Sequence, residues 1–239
     1  MMSLQKITAN IWIAKLPLRF LGLSVGTRMT IVRLRDDRLV VISPIKLNPE
    51  LIRQIDALGR VCLIIAPNRY HHLFAKEFKQ QYPEALLWAA RGLQEKRPDL
   101  PIDRIIEDFD GNIDGELFYQ QFAGINAPSL KGADPLNEVV FYHPSSRTLI
   151  ITDIAFHFDE TAAWETRLAG KLLGGYKALE PTVLEKWFMG DRASVEKSIR
   201  SVLQWDFERV IMAHGTTIEV GGKRRLKEGY ERFLGVGLG

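Results

Sequence analysis

The chain has 239 residues, 46% of them hydrophobic and 26% charged. Those are values of one globular domain with its own core, and they exclude disordered, collagen-like and disulfide-scaffold chains. Its 32 basic and 29 acidic residues leave a net charge of +3, too even a balance to point to nucleic acid. The one cysteine, Cys62, lies in the apolar run 61–65; a single thiol cannot form an internal bridge, and it fits a reducing, cytoplasmic compartment. No run approaches the roughly 18 apolar residues of a membrane span, and residues 1–10 carry no leader pattern.

In chain order, residues 8–13 and 28–34 alternate like half-buried strands, and 39–42 return after the turn Asp36-Asp37-Arg38. Asn48 and Pro49 cap and open a helix with Leu51, Ile52, Ile55 and Leu58 on one face, ended by Gly59. The run 61–66 reads as a strand buried on both sides. Residues 71–81 read as a helix and 85–89 as the next buried strand. The stretch 91–115 is acidic and loop-rich. Strands follow at 116–122, 138–142 and 148–151, with a turn at 143–146. Residues 158–184 are amphipathic, helical in pieces and broken near Gly174-Gly175. Asp191 caps a helix through Leu203, a last buried strand covers 209–213, and a helix over 224–234 closes the chain. This order predicts an α/β chain forming a single domain over 1–239, a four-layer αββα sandwich of two mixed sheets with helices outside.

Five histidines bound the chemistry. His71 and His72 follow the buried strand 61–66, Asp153 follows 148–151, and His214 ends 209–213. Acidic and imidazole groups just beyond buried strands stand at a sheet rim, where layered folds bind ligands. If the three strand ends share one rim, the set suits a single zinc or iron ion. Taken singly, each has a plainer role: polar residues at a helix start, a capped turn, a strand-to-loop transition. His143, in a turn beside Pro144, is read as exposed, and His157 as solvated.

With its order of elements and these strand endings, the chain resembles the metallo-β-lactamase-fold superfamily along nearly its whole length. That family carries a His-x-His-x-Asp-His signature after a buried strand, a His in a middle loop, an Asp ending a later strand and a final His. On this pattern, the signature's two leading histidines fall on Pro67 and Arg69, its Asp on His71 and its last His on His72. The middle-loop His falls near Asp134, the bridging Asp on Asp153 and the final His on His214. The resemblance implies that one of two metal sites is dismantled, since proline offers no donor and a guanidinium stays cationic. The other survives as His71, His72, Asp153 and His214.

The resemblance, with one site retained, implies a mononuclear metal-dependent hydrolase acting on an ester-, thioester- or phosphoester-type bond of a small, anionic substrate. Asp153 would orient water and Arg69 would hold the anionic group. Neighbouring side chains on a helix point about 100° apart, so His71 and His72 can share an ion only if that turn is not helical. The alternative is a metal-free scaffold or binding protein that kept the fold and lost the chemistry. The segment 158–184, with Trp164, Leu168, Leu172 and Leu173, is read as an ordinary packed surface helix, with a substrate-covering lid, a homodimer contact and a membrane-surface helix as its other roles.

Overall fold

The computed structural model describes residues 3–20, 22–129 and 132–239. Met1 and Met2, part of the stretch read as lacking a leader, lie outside the described residues. The chain divides into two compact units: Met1–Pro17 with Gly26–Glu107, and Leu18–Val25 with Asp108–Gly239. Among the described residues, no helix is long and apolar enough to cross a membrane.

The first unit is built on seven strands that are neighbours in the order they occur in the chain: β1 (Gln5–Lys6), β2 (Ile11–Leu16), β3 (Thr27–Arg33), β4 (Arg38–Ile42), β5 (Arg60–Ala66), β6 (Leu86–Ala90) and β7 (Arg104–Ile106). The first three pairings are antiparallel and the last three parallel. A short turn joins β3 to β4, the longer stretch 17–26 joins β2 to β3, and each parallel pair needs a crossover. The β3–β4 turn is made by Asp36 and Asp37, both at positive φ, a conformation aspartate tolerates better than most residues.

Helix α1 (Pro49–Leu58) crosses from β4 to β5. The Asn48 side chain accepts from the Leu51 amide at 2.7 Å, and Leu51 and Ile55 turn fully into the core, each side chain contributing about 1.5–3 kcal/mol. Gly59 ends it where a Cβ would lie 2.0 Å from the Asp37 carbonyl oxygen. Six of the seven β3 residues are buried, so this strand is covered on both faces rather than half-buried as the alternation suggested. Arg28 goes in with it, and burial lowers its guanidinium to about 10. Helices α2 (Ala75–Gln81) and α3 (Leu93–Lys96) make the remaining crossovers.

The second unit repeats the plan with five strands, again neighbours in chain order: β8 (Asp110–Ile113), β9 (Leu117–Phe122), β10 (Glu138–His143), β11 (Thr148–Ile150) and β12 (Arg209–Ile211). Three antiparallel pairings precede one parallel pairing, β11 with β12. The long connection before β12 holds α4 (Trp164–Leu173), α5 (Val183–Trp187) and α6 (Arg192–Val202). Gly174 and Gly175, at φ of 101° and 87°, break the segment where the sequence placed the break. Asp191 caps α6 by accepting from the Ala193 amide. The closing helix α7 (Gly222–Leu234) buries Leu226, Tyr230, Phe233 and Leu234. Its Gly229 has no room for a side chain: a Cβ would meet the Leu179 carbonyl oxygen at 2.0 Å.

Helix α4 departs from the expected packing. Its buried residues are Thr166 and Gly170, whereas Trp164, Leu168 and Leu172 are 70%, 50% and 73% exposed. The apolar stripe expected to face a core faces outward. A short hairpin, Arg19–Phe20 with Leu23–Ser24, belongs to this unit: Ser24 bonds the Glu165 side chain at 3.1 Å, and the Thr166 hydroxyl donates to the Ser24 carbonyl at 3.0 Å.

Candidate functional site

In the first unit the expected donors lie in the turn after β5. Buried Asn68 bends the chain there: its side-chain oxygen accepts from the amides of Tyr70 and His71 at 2.7 and 2.8 Å. Spending those amides on a side chain delays the helix. Residues 71–74 are turn and α2 begins only at Ala75, so the two histidines do not sit on a regular helical turn. Their rings find different partners. His71 Nδ1 lies 2.7 Å from the hydroxyl of Ser43, just past β4.

His72 Nδ1 lies 3.1 Å from the Arg97 guanidinium. A guanidinium only donates, so this nitrogen accepts. Burial first, then the charges of Arg97 and Lys96, lower the His72 pKa to about 4. The loop is basic around it: Lys96 donates to the Arg69 carbonyl at 2.8 Å and stands 3.9 Å over the Tyr70 ring. Arg97 and Lys76 share Asp99. Arg69, proposed from sequence to hold an anion, is thus one of several cations on this turn.

The His72 shift has a pH consequence. Between pH 6.5 and about 4 the unfolded chain takes up a proton that the folded chain refuses. The stabilisation is therefore complete above pH 6.5 and is lost as pH falls toward 4. Urea midpoints at pH 7.5 and 5 should show this drop, and His72→Gln should shrink it. An equal drop in the variant would assign the acid sensitivity elsewhere.

In the second unit the donors stand beyond β11 and β12. The ladder runs to Ile150 opposite Ile211, and the next residues are taken over by one side chain. Glu138, the first residue of β10, accepts from the amides of Thr152 and Asp153 at 2.6 Å each, one on each oxygen. It is fully buried, and burial together with the charge of Asp153 raises its pKa above the ordinary carboxyl range. Asp153 Oδ1 then lies 3.2 Å from His214 Nε2. His214 stacks on Phe156 with ring centroids 6.0 Å apart.

Gly215 turns the chain at φ 81°. The Thr216 amide donates to the His157 carbonyl at 2.7 Å, and His157 Nδ1 lies 3.0 Å from the Thr216 carbonyl. Partly buried Glu185, on α5, has its carboxyl raised by burial, with a smaller contribution from the charge of Asp153.

The structure thus brings Asp153 and His214 together, while His71 and His72 hold partners within their own unit. Two sequence expectations are corrected. His143 is buried, its Nδ1 bonded to Ser146 at 2.7 Å, because its turn folds the serine hydroxyls back onto the ring. His157 is buried against Thr216 rather than solvated. Asp134 lies on the strand Gly132–Pro135, opposite Ala127. Glu138 escaped sequence reasoning; its signal is an acid at the mouth of the apolar run 139–142.

The donor set of the second unit fits a metal ion. Two ligands of a tetrahedral ion, bonded at about 2.0–2.1 Å, stand roughly 3.3 Å apart. The Asp153–His214 separation of 3.2 Å matches that spacing as well as it matches a hydrogen bond.

Solved structures similar to this chain are metallo-β-lactamases. The DIM-1 enzyme exposed to ceftazidime matches with 13% identity and a TM-score of 0.67, covering 97% of each chain. A metallo-β-lactamase from Pontibacter korlensis has 13% identity and a TM-score of 0.64, over 98% of this chain and 99% of the other. FIM-1 from Pseudomonas aeruginosa, in its mono-zinc form, has 11% identity and a TM-score of 0.64, over 98% and 94%. At such identities the likeness shows the fold, and the α/β architecture with two mixed sheets expected from the sequence is the one found. No curated protein sequence matches the chain. A domain family does match, over residues 8–173, more than half the length, and the chain belongs to that family, described as Domain of unknown function (DUF4336).

Proposed function

We propose that this protein is a hydrolase dependent on one divalent metal ion, zinc or iron, acting on an ester-, thioester- or phosphoester-type bond. The observation that carries the reading is the 3.2 Å approach of Asp153 Oδ1 to His214 Nε2 beyond two parallel strands. In the proposal these two are ligands, and the sequence pattern adds His71 and His72. His71 is the better candidate of the pair, because Arg97 and Lys96 already oppose positive charge at His72. A bound ion would supply a water acidified toward neutral pH and a polarising centre for the bond to be broken.

The chain's own groups do the rest. Asp153 would orient the water, Glu138 holds the Asp153 main chain, and Arg69 would draw in an anionic part of a small-molecule substrate. A cytoplasmic location goes with this reading, supported by the use of a single cysteine in 239 residues.

Metal analysis of protein purified without chelator tests the reading. About one equivalent is expected, falling to background in Asp153→Ala and His214→Ala and falling more in His71→Ala than in His72→Ala. Metal content untouched by His214→Ala would overturn it. The cations around His72 and the absence of a donor at Pro67 favour a second reading, a metal-free scaffold in which Asp153 and His214 form a plain polar contact. Thermal melting with and without chelator separates the two. An ion present at a hundred times its Kd adds about 2.7 kcal/mol to the folded state, and a scaffold melts identically in both.

A further inference from the structure

Glu138 is expensive where it stands. It opens a strand buried at all six positions, it is 0% exposed, and an ionised carboxyl in such a place costs several kcal/mol unless its oxygens are bonded. Both are: the Thr152 and Asp153 amides donate to its two oxygens at 2.6 Å each. Holding two consecutive N–H groups on one rigid carboxyl fixes the main chain at 152–153. That in turn fixes the direction in which Asp153 leaves the backbone. The next residue is gripped as well, since the buried Tyr230 hydroxyl donates to the Ile154 carbonyl at 2.7 Å.

We propose that Glu138 is a positioning residue: by clamping the amides of Thr152 and Asp153 it aims the Asp153 carboxylate at His214 and pre-forms that half of the metal site. The proposal rests on the reading of Asp153 and His214 as ligands. An unclamped loop after β11 would carry Asp153 through many orientations, and an ion would have to order it on binding; the clamp removes that cost beforehand.

The experiment uses the full chain as Glu138→Gln, which keeps size but turns an NH2 toward one of the two amides. A second variant, Glu138→Asp, keeps the carboxyl group but shortens the reach. Amide exchange at Thr152 and Asp153 should accelerate at least tenfold in both, while Val140 and Phe141 keep wild-type protection. Cobalt(II), used as the probe, should bind tenfold or more weakly, with an altered visible spectrum. Unchanged exchange at Thr152 and Asp153, or wild-type cobalt affinity and spectrum, would overturn the clamp.

If wild type takes up no cobalt, the metal reading fails by itself. The clamp is then decided by the His214 ring nitrogen shifts in metal-free protein, which must move in Glu138→Gln. Should neither variant fold, scalar couplings across the two hydrogen bonds in wild type decide it: their presence supports the clamp, and their absence overturns it.

Discussion

Gly215→Ala should lower the melting temperature by roughly 4–20 °C and, on the proposed reading of His214 as a ligand, weaken metal binding. Gly215 sits at φ 81°, a left-handed conformation that costs an L-residue roughly 1–2 kcal/mol. The new methyl would also lie 2.1 Å from the His157 carbonyl oxygen and 3.2 Å from the Phe158 ring. Backbone cannot yield as a side-chain tip can, and overpacking of this kind costs about 1–3 kcal/mol. Together these remove about 2–5 kcal/mol, and each kcal/mol is worth roughly 2–4 °C in a chain of this size. The strain falls on the residue after His214 and on the bridge that pairs His157 with Gly215, so His214 moves first. Calorimetry measures the stability change. A melting temperature within a degree of wild type would mean that the 214–216 turn is not packed as described.

The second large effect belongs to Tyr230. Its ring is fully buried, 5.7 Å from Phe122 and 5.9 Å from Phe233. Its hydroxyl serves the Ile154 carbonyl. Burial and the nearby Glu138 and Glu185 raise its pKa well above the ordinary value, so it stays a donor throughout the physiological range. Tyr230→Ala should cost about 3–5 kcal/mol for the lost ring and a further 1–3 kcal/mol for a buried carbonyl left unserved. Tyr230→Phe should cost only the latter. Urea denaturation of both variants checks this, and a Phe variant as stable as wild type would show that the hydroxyl holds nothing.

The regular elements were the legible part of the fold. Asn48, Pro49 and Gly59 marked the ends of α1 because capping is local chemistry, readable from three residues. The run 61–66 announced a buried strand by its continuous apolarity, and 39–42 a returning hairpin strand by the turn before it. What stayed hidden was whatever depends on a distant partner. Strand β8 has the sequence Asp110-Gly111-Asn112-Ile113 with one buried residue. Only its pairing with β9, Asp110 opposite Gln120 through Ile113 opposite Leu117, makes it a strand. Helix α4 misled in the opposite sense: Trp164, Leu168 and Leu172 form a helical stripe, and periodicity names a face without saying what covers it.

The candidate site was legible in the same uneven way. Asp153 and His214 stood out because each lies just beyond an apolar run, and they meet. His71 and His72 were equally visible, yet sequence could not tell that Asn68 would hold their turn open or that Arg97, 25 residues later, would reach the His72 ring. Glu138 showed only as an acid at the mouth of an apolar run, because its partners are two amides 14 and 15 residues further on.

The eight residues Leu18–Val25 count with the second unit although their neighbours on both sides count with the first. The groups that tie them down, Glu165 and Thr166, come 141 and 142 residues after Ser24. At translation speeds of roughly 5–20 residues per second, a nascent chain would emerge with this hairpin untethered and keep it so for roughly 7–28 s. It would fasten only once α4 has left the ribosome. Its docking thus acts as a late latch, one that a polypeptide released prematurely before residue 164 would never close.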